Sequence, residues 1–156
     1  MRKKYLYKSK RFSELTIDEL YEIAKVRYEV FVCEQKITCE NDFDDKDKEC
    51  IHLFAIDEIN NEETIIGYCR LLPPGLSYKE ASIGRVLVLK DYRGQNIAIE
   101  MMNIAIKEIK KYFGENKITI SAQSYIKRLY ELVGFKETSD EYDEAGIPHI
   151  KMKFGI

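Results

Sequence analysis

The segment from Ser82 to Ala98 carries the residue pattern best suited to chemistry. An apolar strand predicted over residues 81–89 runs into a short polar turn containing Gly94, and a helix is predicted to follow. The first N–H groups of a helix lack partners within it, and with the helix dipole they favour a bound phosphate. The segment has neither the Gly-Lys-Ser/Thr ending of a Walker loop nor the G-x-G-x-x-G pattern of a dinucleotide site. From these residues alone, an anion site and an ordinary glycine turn both remain open.

Helices and strands on either side must position this turn. Thr16 and Glu19 have the spacing of a capping box, which predicts a helix start, and apolar residues then recur at helical intervals through Phe31. Arg27 lies within that apolar stripe, where a charge requires a partner. Strands are predicted over 51–58 and 64–72, close enough to each other and to 81–89 for an antiparallel meander.

The second half of the chain alternates helices and strands. The pattern predicts a long helix over 94–113, a strand over 117–121, a helix over 124–133 and a final strand over 149–154. This order indicates a mixed α/β (α+β) layered fold with an antiparallel sheet and at least one crossover. The length of 156 residues is typical of one domain, so we expect residues 1–156 to form it.

Composition and charge exclude several classes of protein. The 25 Lys+Arg and 27 Asp+Glu give a net charge of −2, which argues against a nucleic-acid binder. No apolar run approaches the roughly 18 residues of a membrane helix and no signal peptide is evident, so we expect a cytoplasmic protein without membrane contact. The cysteines show no zinc-ligand spacing, so no metal is predicted and free thiols are expected. These cysteines are Cys33, Cys39, Cys50 and Cys69.

An acidic stretch runs from Asp42 to Asp47. It lacks the glycine pattern of a calcium loop. The simplest interpretation is a solvated loop, and the alternative is a surface that attracts a cationic amine or a polyamine.

Several motifs resemble the GNAT superfamily of acyl-CoA N-acyltransferases. Residues 93–98 resemble its R-x-x-G-x-G/A motif, and residues 129–135 resemble its L-Y-x-x-x-G-F ending. Segments 26–35, 69–75, 83–86 and 146–149 resemble the ElaA-like branch, so the resemblance covers nearly the whole chain after about residue 15. It implies a GNAT-type fold, in which a mixed, mostly antiparallel central sheet is flanked by helices and splayed between its fourth and fifth strands.

The resemblance implies that acetyl-CoA (coenzyme A) binds along the fourth strand and the turn. In the family, main-chain N–H groups of the turn hold the pyrophosphate, and the strand accompanies the pantetheine arm and stabilises the oxyanion. Asn96 stands where the motif prefers glycine, and asparagine tolerates left-handed backbone better than most residues. Gln123 stands where many members have an arm-binding asparagine. The implied cofactor-binding residues are Val86, Leu87, Val88, Arg93, Gly94, Gln95, Asn96, Ile97, Ala98 and Gln123.

The resemblance also implies the catalytic groups. Tyr130 matches the general acid that protonates the departing thiolate, and the alternative for this residue is a packing role. Glu34 and His149 are candidate general bases. Candidate ligands of the acceptor are Arg27, His52, Arg70 and Arg85. For each acceptor-side residue the alternative is a buried ion pair or an internal hydrogen bond.

The implied activity is transfer of an acetyl (acyl) group from acetyl-CoA to a primary amine, on a small molecule or a peptide, by direct attack. No metal or nucleic acid takes part, and a homodimer is common in the family. Two other classes stay open: a non-catalytic CoA-binding sensor or interaction module, and a fold that no longer binds CoA.

Overall fold

The computed structural model describes residues 3–156. The strands are β1 (Leu6–Arg11), β2 (Ile51–Ile59), β3 (Glu62–Leu72), β4 (Ser82–Val88), β5 (Ile118–Gln123), β6 (Lys136–Glu137), β7 (Tyr142–Glu144) and β8 (Ile147–Phe154). The α-helices are α1 (Ile17–Arg27), α2 (Ile97–Phe113) and α3 (Lys127–Leu132). A π-helical segment, Tyr28–Glu34, continues α1 without a break.

The strands form two antiparallel sheets that meet at β4 and β5. The first sheet has the order β1-β2-β3-β4, and in the second β8 lies between β5 and β6 and also pairs with β7. A single parallel bridge between Ala81 and Ile118 joins the sheets within the described residues, with Thr119 N donating to Ala81 O at 3.0 Å. Beyond this bridge β4 and β5 diverge, so the splay that the resemblance implied is confirmed.

Helix α1 begins where the sequence predicted. The Thr16 hydroxyl accepts a hydrogen bond from Glu19 N at 3.0 Å, and the Glu19 carboxylate accepts one from Thr16 N at 2.8 Å, which completes the capping box. The apolar stripe continues to Phe31 through the π-helical segment rather than through a regular α-helix. π-Helical turns cannot be distinguished from α-helix by apolar periodicity, and they occur often at functional sites.

Helix α2 packs against both sheets and forms the main core with them. Its buried residues Met101, Met102, Ala105 and Ile109 contact strand residues of both sheets. The helix starts at Ile97, three residues later than predicted from Gly94, because the chain before it adopts left-handed backbone. Gly114 ends the helix as expected, at a φ of 65°.

Three short or polar strands were not predicted. They are β1, β6 and β7. The last strand also starts earlier than predicted, at Ile147, because β7 and β8 form a hairpin through Ala145 and Gly146. No helix within residues 3–156 combines the length and the apolar character needed to cross a membrane.

Candidate functional site

A cleft of about 930 Å³ opens where β4 and β5 diverge. One wall is formed by residues 86–88 of β4 and by Ala98 of α2. The facing wall is formed by Gln123 at the end of β5 and by Leu129 and Tyr130 of α3. The splayed sheets therefore bring the predicted cofactor strand and the predicted general acid to one cavity.

The turn between β4 and α2 has the backbone of an anion site. Gly94 and Asn96 both adopt left-handed conformations, with φ of 82° and 63°. The tolerance expected of Asn96 for this backbone is thus confirmed. Its side chain makes no capping bond, so it leaves the N–H groups of the first turn of α2 to other partners. The 17-residue helix adds its dipole at the same point, which favours a phosphate there.

Strand β4 contains a bulge inside the cleft. Tyr68 pairs with Leu87 and Arg70 pairs with Gly84, so the single residue Cys69 faces both Arg85 and Val86. Arg85 has a φ of 53°, in the left-handed region. A bulge interrupts the regular ladder of hydrogen bonds, which leaves main-chain groups available to a ligand.

Tyr130 is held firmly in the wall of the cleft. Its side chain is 5% exposed, and its ring meets Phe135 edge-on with centroids 5.9 Å apart. Burial raises the pKa of the Tyr130 phenol above its ordinary value of 10.0. The phenol therefore keeps its proton at neutral pH, as a proton donor must.

His149 faces the same cleft from β8, in a cluster of polar groups. Its Nδ1 lies 2.7 Å from the carbonyl oxygen of Ile147, which requires an N–H at that nitrogen. In the neutral ring Nε2 is then unprotonated, and it lies 3.4 Å from the Glu144 carboxylate. The ring of Tyr142 stacks on the imidazole at a centroid distance of 6.3 Å. Ser121 hydrogen-bonds both Tyr142, at 2.5 Å, and Glu144, at 3.0 Å.

The comparisons with known proteins match this architecture. A family model described as an acetyltransferase (GNAT) domain matches residues 22–156. The chain belongs to the GNAT acetyltransferase family. A UPF0039 protein of Schizosaccharomyces pombe is 37% identical over 148 residues, which cover 94% of this chain and 95% of the relative.

Two crystal structures share the fold over almost their whole length. An acyl-CoA N-acyltransferase from Pseudomonas aeruginosa is 29% identical, with a TM-score of 0.86 over 97% of this chain and 100% of that one. ElaA of Escherichia coli is 25% identical, with a TM-score of 0.86 over 97% and 99%. The GNAT-type fold and the ElaA-like resemblance are thereby confirmed, and the enzyme class is acyl-CoA N-acyltransferase.

Arg93 of the GNAT turn connects three elements. Its Nε donates to the carbonyl oxygen of Val88 at 2.9 Å, and its Nη2 lies 3.0 Å from the Glu34 carboxylate. Glu34 ends the π-helical segment and therefore sits beside the turn expected to bind the cofactor. The structure does not bring it to the polar cluster around His149, although sequence reasoning treated both as candidate bases.

Three of the predicted acceptor ligands are engaged by the acidic stretch. Arg27 is 0% exposed, and its Nε lies 2.8 Å from Asp42 while its Nη1 lies 2.7 Å from Asp47. Arg70 binds both oxygens of Asp44, at 2.6 and 2.8 Å. The remaining arginine, Arg85, binds Asp42 at 2.9 Å.

The interpretation of the acidic stretch as a solvated loop is therefore wrong. Asp47 is only 3% exposed and binds Arg27 of α1 and Arg70 of β3, while Arg85 of β4 binds Asp42, so three guanidinium groups draw the stretch inward. The Arg70 guanidinium lowers the pKa of the Asp44 carboxyl from 3.8 to about 2, mainly through their hydrogen bond. Arg70 and Arg85 still line the cleft, whereas Arg27 lies behind the loop.

His52 belongs to the same buried network. Its Nε2 lies 2.8 Å from the Asp47 carbonyl oxygen and its Nδ1 lies 2.7 Å from the Tyr68 hydroxyl. Burial lowers the pKa of the imidazole, which keeps His52 neutral. Both ring nitrogens are bonded within the protein and only 1% of the residue is exposed. His52 therefore matches the alternative of an internal hydrogen bond rather than that of an acceptor ligand.

Sequence reasoning missed several polar residues of this GNAT cleft, among them Gln35, Ser121 and Glu144, and it missed Tyr142, which hydrogen-bonds Ser121. Gln35 lies in a segment that carried the ElaA-like resemblance, which was a usable signal. Glu144 and Tyr142 lie on β7, a strand of three residues that is too short to show periodicity.

Proposed function

We propose that this enzyme transfers the acetyl group of acetyl-CoA to a primary amine, with Tyr130 as the general acid and His149 as the general base. One observation carries the proposal: both side chains line the cleft that also contains the β4 bulge and adjoins the N-terminus of α2. The acceptor is a small molecule or a peptide that presents an alkylamine.

The substrate acetyl-CoA is oriented by the two ends of the β4–α2 connection. The turn from Arg93 to Ala98 binds its pyrophosphate through main-chain N–H groups. The Arg93 N–H already donates to the Lys90 carbonyl oxygen at 3.3 Å, so the donors are the N–H groups from Gly94 onward, at two left-handed residues and a helix start. Residues 86–88 accompany the pantetheine arm, and Gln123 contacts the arm from the facing wall. The unbonded N–H groups and the helix dipole at this turn support the assignment independently of the resemblance.

The chemistry then requires proton transfers at two ends of the cleft. His149 Nε2 takes a proton from the alkylammonium, and Glu144 stabilises the imidazolium that results. The neutral nitrogen attacks the carbonyl carbon and forms the C–N bond, while a main-chain N–H of the β4 bulge stabilises the negative oxygen.

Collapse of this adduct breaks the C–S bond. Tyr130 gives its proton to the thiolate, and the amide nitrogen loses its second proton to solvent, from which the Tyr130 phenolate is reprotonated. The His149 imidazolium then releases its proton to solvent, so the products are the N-acetylated amine, free CoA and one proton, formed without a metal or a covalent enzyme intermediate.

The test is release of thiol from acetyl-CoA in the presence of a panel of primary amines, with CoA binding measured by calorimetry on the same protein. We expect saturable thiol release with at least one amine and formation of an equal amount of acetylated product. Binding of CoA without turnover on any amine would instead support a sensor or interaction module, whereas no binding would show that this chain has lost the cofactor site.

A further inference from the structure

The β4 bulge places a non-glycine residue in a conformation that bulges of this type usually reserve for glycine. When the first residue of a bulge is left-handed, glycine is the usual residue there, because a Cβ is disfavoured at positive φ. In this protein the position is occupied by Arg85, with a φ of 53°, although Gly84 precedes it directly. A side chain persists in such a conformation only where its surroundings hold it.

Asp42 supplies that restraint from 43 residues away in the sequence. Arg85 Nε lies 2.9 Å from Asp42 Oδ1, and Arg85 Nη2 donates to the Asp42 carbonyl oxygen at 2.9 Å. One guanidinium is therefore bound to both the side chain and the main chain of the same residue. This two-point contact fixes the direction of the Arg85 side chain and restricts the backbone that carries it.

Asp42 is itself fixed from behind by Arg27. The Nε of Arg27 lies 2.8 Å from the second carboxylate oxygen of Asp42, and its Nη2 donates to the Asp42 carbonyl oxygen at 2.7 Å. Arg27 is fully buried at the end of α1, with Asp47 as a further partner. A continuous set of charged contacts thus runs from the core end of α1 through Asp42 to the bulge.

We infer that Asp42 is a positioning residue for catalysis: through Arg85 it holds the β4 bulge in the geometry that presents a main-chain N–H to the oxyanion. The inference rests on the proposed function, because the bulge has a catalytic role only if acyl transfer occurs in this cleft. Asp42 touches no reacting atom in this scheme. Its loss should therefore lower kcat while the KM for acetyl-CoA, which depends on the turn and the rest of the strand, changes little.

Two substitutions at one position separate positioning from direct binding. Arg85→Gly removes the guanidinium but favours the left-handed backbone, whereas Arg85→Ala removes the guanidinium and disfavours that backbone. We expect kcat of Arg85→Ala to be about tenfold or more below that of Arg85→Gly; complete removal of an oxyanion donor costs about 10²- to 10³-fold, so a displaced donor should cost up to that much. We expect the KM for acetyl-CoA to stay within about twofold of the wild-type value in both variants.

The same two substitutions at Asn60 are the matched control. Asn60 is exposed in the turn between β2 and β3, outside the cleft, and it also has a φ of 53°. Asn60→Ala should lower thermal stability relative to Asn60→Gly without separating their kcat values. If the alanine and glycine variants differ more in kcat at residue 85 than at residue 60, the effect is therefore specific to the bulge.

Asp42→Ala gives a second test, since Arg85→Gly should restore much of the kcat that Asp42→Ala loses. If Arg85→Gly and Arg85→Ala lost the same amount of kcat/KM for the amine, and the loss came from a higher KM for the amine, the guanidinium would bind the acceptor. That result would overturn the inference. So would an Asp42→Ala enzyme with wild-type kcat. If Asp42→Ala does not fold because Arg27 loses a partner, the pair at residue 85 still decides the outcome.

Failure of the proposed function would be recognised separately, by absence of thiol release from the wild-type enzyme with every amine. In that event crystal structures of Arg85→Gly and Arg85→Ala test whether the Arg85 side chain holds the β4 bulge in place. A bulge that is retained in Arg85→Gly and lost in Arg85→Ala supports the restraint, and a bulge that is retained in both overturns it.

Discussion

The side-chain amides of Gln35 and Gln123 exchange two hydrogen bonds in the cleft. Gln123 Nε2 donates to Gln35 Oε1 at 3.0 Å, and Gln35 Nε2 donates to Gln123 Oε1 at 3.3 Å. Gln35 directly follows the π-helical segment, while Gln123 is the last residue of β5 in the second sheet. The pair therefore connects the two walls of the cleft and fixes the amide that is proposed to contact the arm of CoA.

Replacement of Gln123 by alanine should weaken CoA binding about five- to tenfold, as expected for loss of one hydrogen bond of roughly 1 kcal/mol to the cofactor arm. Gln35→Ala is the matched variant: it removes the partner but leaves the Gln123 amide free to contact CoA, so we expect a change of less than about twofold. Calorimetric titration with CoA measures both. Equal losses in the two variants would contradict a direct contact between Gln123 and the cofactor.

Tyr130→Phe should lower kcat by about 10²-fold with little change in the KM for acetyl-CoA, because it removes the proton donor but keeps the ring that packs on Phe135. Tyr21→Phe on the outer face of α1, where Tyr21 is 67% exposed, is the control and should retain wild-type kinetics. Thiol release measures both. Wild-type kcat in Tyr130→Phe would refute its assignment as the acid.

The pH profile adds a second check on Tyr130. Because burial raises the pKa of this phenol above 10.0, loss of its proton should not lower the wild-type rate between about pH 7 and pH 9. A decline in kcat within that range that disappears in Tyr130→Phe would show that the phenol titrates lower than its environment indicates.

His149→Ala should discriminate between two kinds of acceptor. With an alkylamine, which is protonated at neutral pH, we expect kcat/KM to fall about 10²-fold, since the ammonium then lacks its base. With an aromatic amine, which is neutral at the same pH, the loss should be much smaller. Parallel thiol-release assays with the two amines make the comparison within one variant, so instability of the protein cancels. An equal loss with both amines would indicate that His149 acts only by packing on Tyr142.

Features of the fold set by neighbouring residues were predictable from the sequence. The capping box of Thr16 and Glu19 and the glycine stop at Gly114 involve partners within one helical turn, so spacing alone identifies them. Strand β1 is a contrasting case. It is mostly polar and lies at the edge of the sheet, and its partner β2 is some 40 residues further along the chain, so no local pattern marks it.

The proposed cofactor-binding and acceptor-binding halves of the site also differed in how far local sequence could predict them. The proposed cofactor half lies, apart from Gln123, in one continuous segment around Gly94, where residue order and turn chemistry are informative. The proposed acceptor half depends on contacts between distant elements, as between Ser121 and Glu144 or between Asp44 and Arg70. A run of aspartates has the composition of a solvated loop, and only the tertiary fold shows which guanidinium groups neutralise it.

Asp44→Asn tests this neutralisation through the pH dependence of stability. The Arg70 guanidinium lowers the pKa of Asp44 from 3.8 to about 2, so the folded protein holds the carboxyl ionised at pH values where the unfolded chain protonates it. The resulting stabilisation is complete above about pH 5 and is lost as the pH falls through 4 toward 2. Because the Asp44 side chain is partly exposed, we expect a contribution of about 1 kcal/mol after allowance for solvent screening.

Urea unfolding of the wild type and of Asp44→Asn at pH values from 7 to about 2.5 measures this contribution. We expect the difference in their free energies of unfolding to become smaller as the pH falls. Other carboxyl groups are common to both proteins and cancel in the difference. Asp45→Asn is the control within the same stretch, because the Asp45 side chain is 92% exposed and approaches Lys48 only to 3.6 Å. The free energy of unfolding of Asp45→Asn should differ little from that of the wild type, and the difference should not depend on pH. If the Asp44→Asn difference were equally flat, Arg70 would not stabilise the ionised Asp44 carboxylate, and it would hold the loop only through Asp47, which it approaches to 3.1 Å.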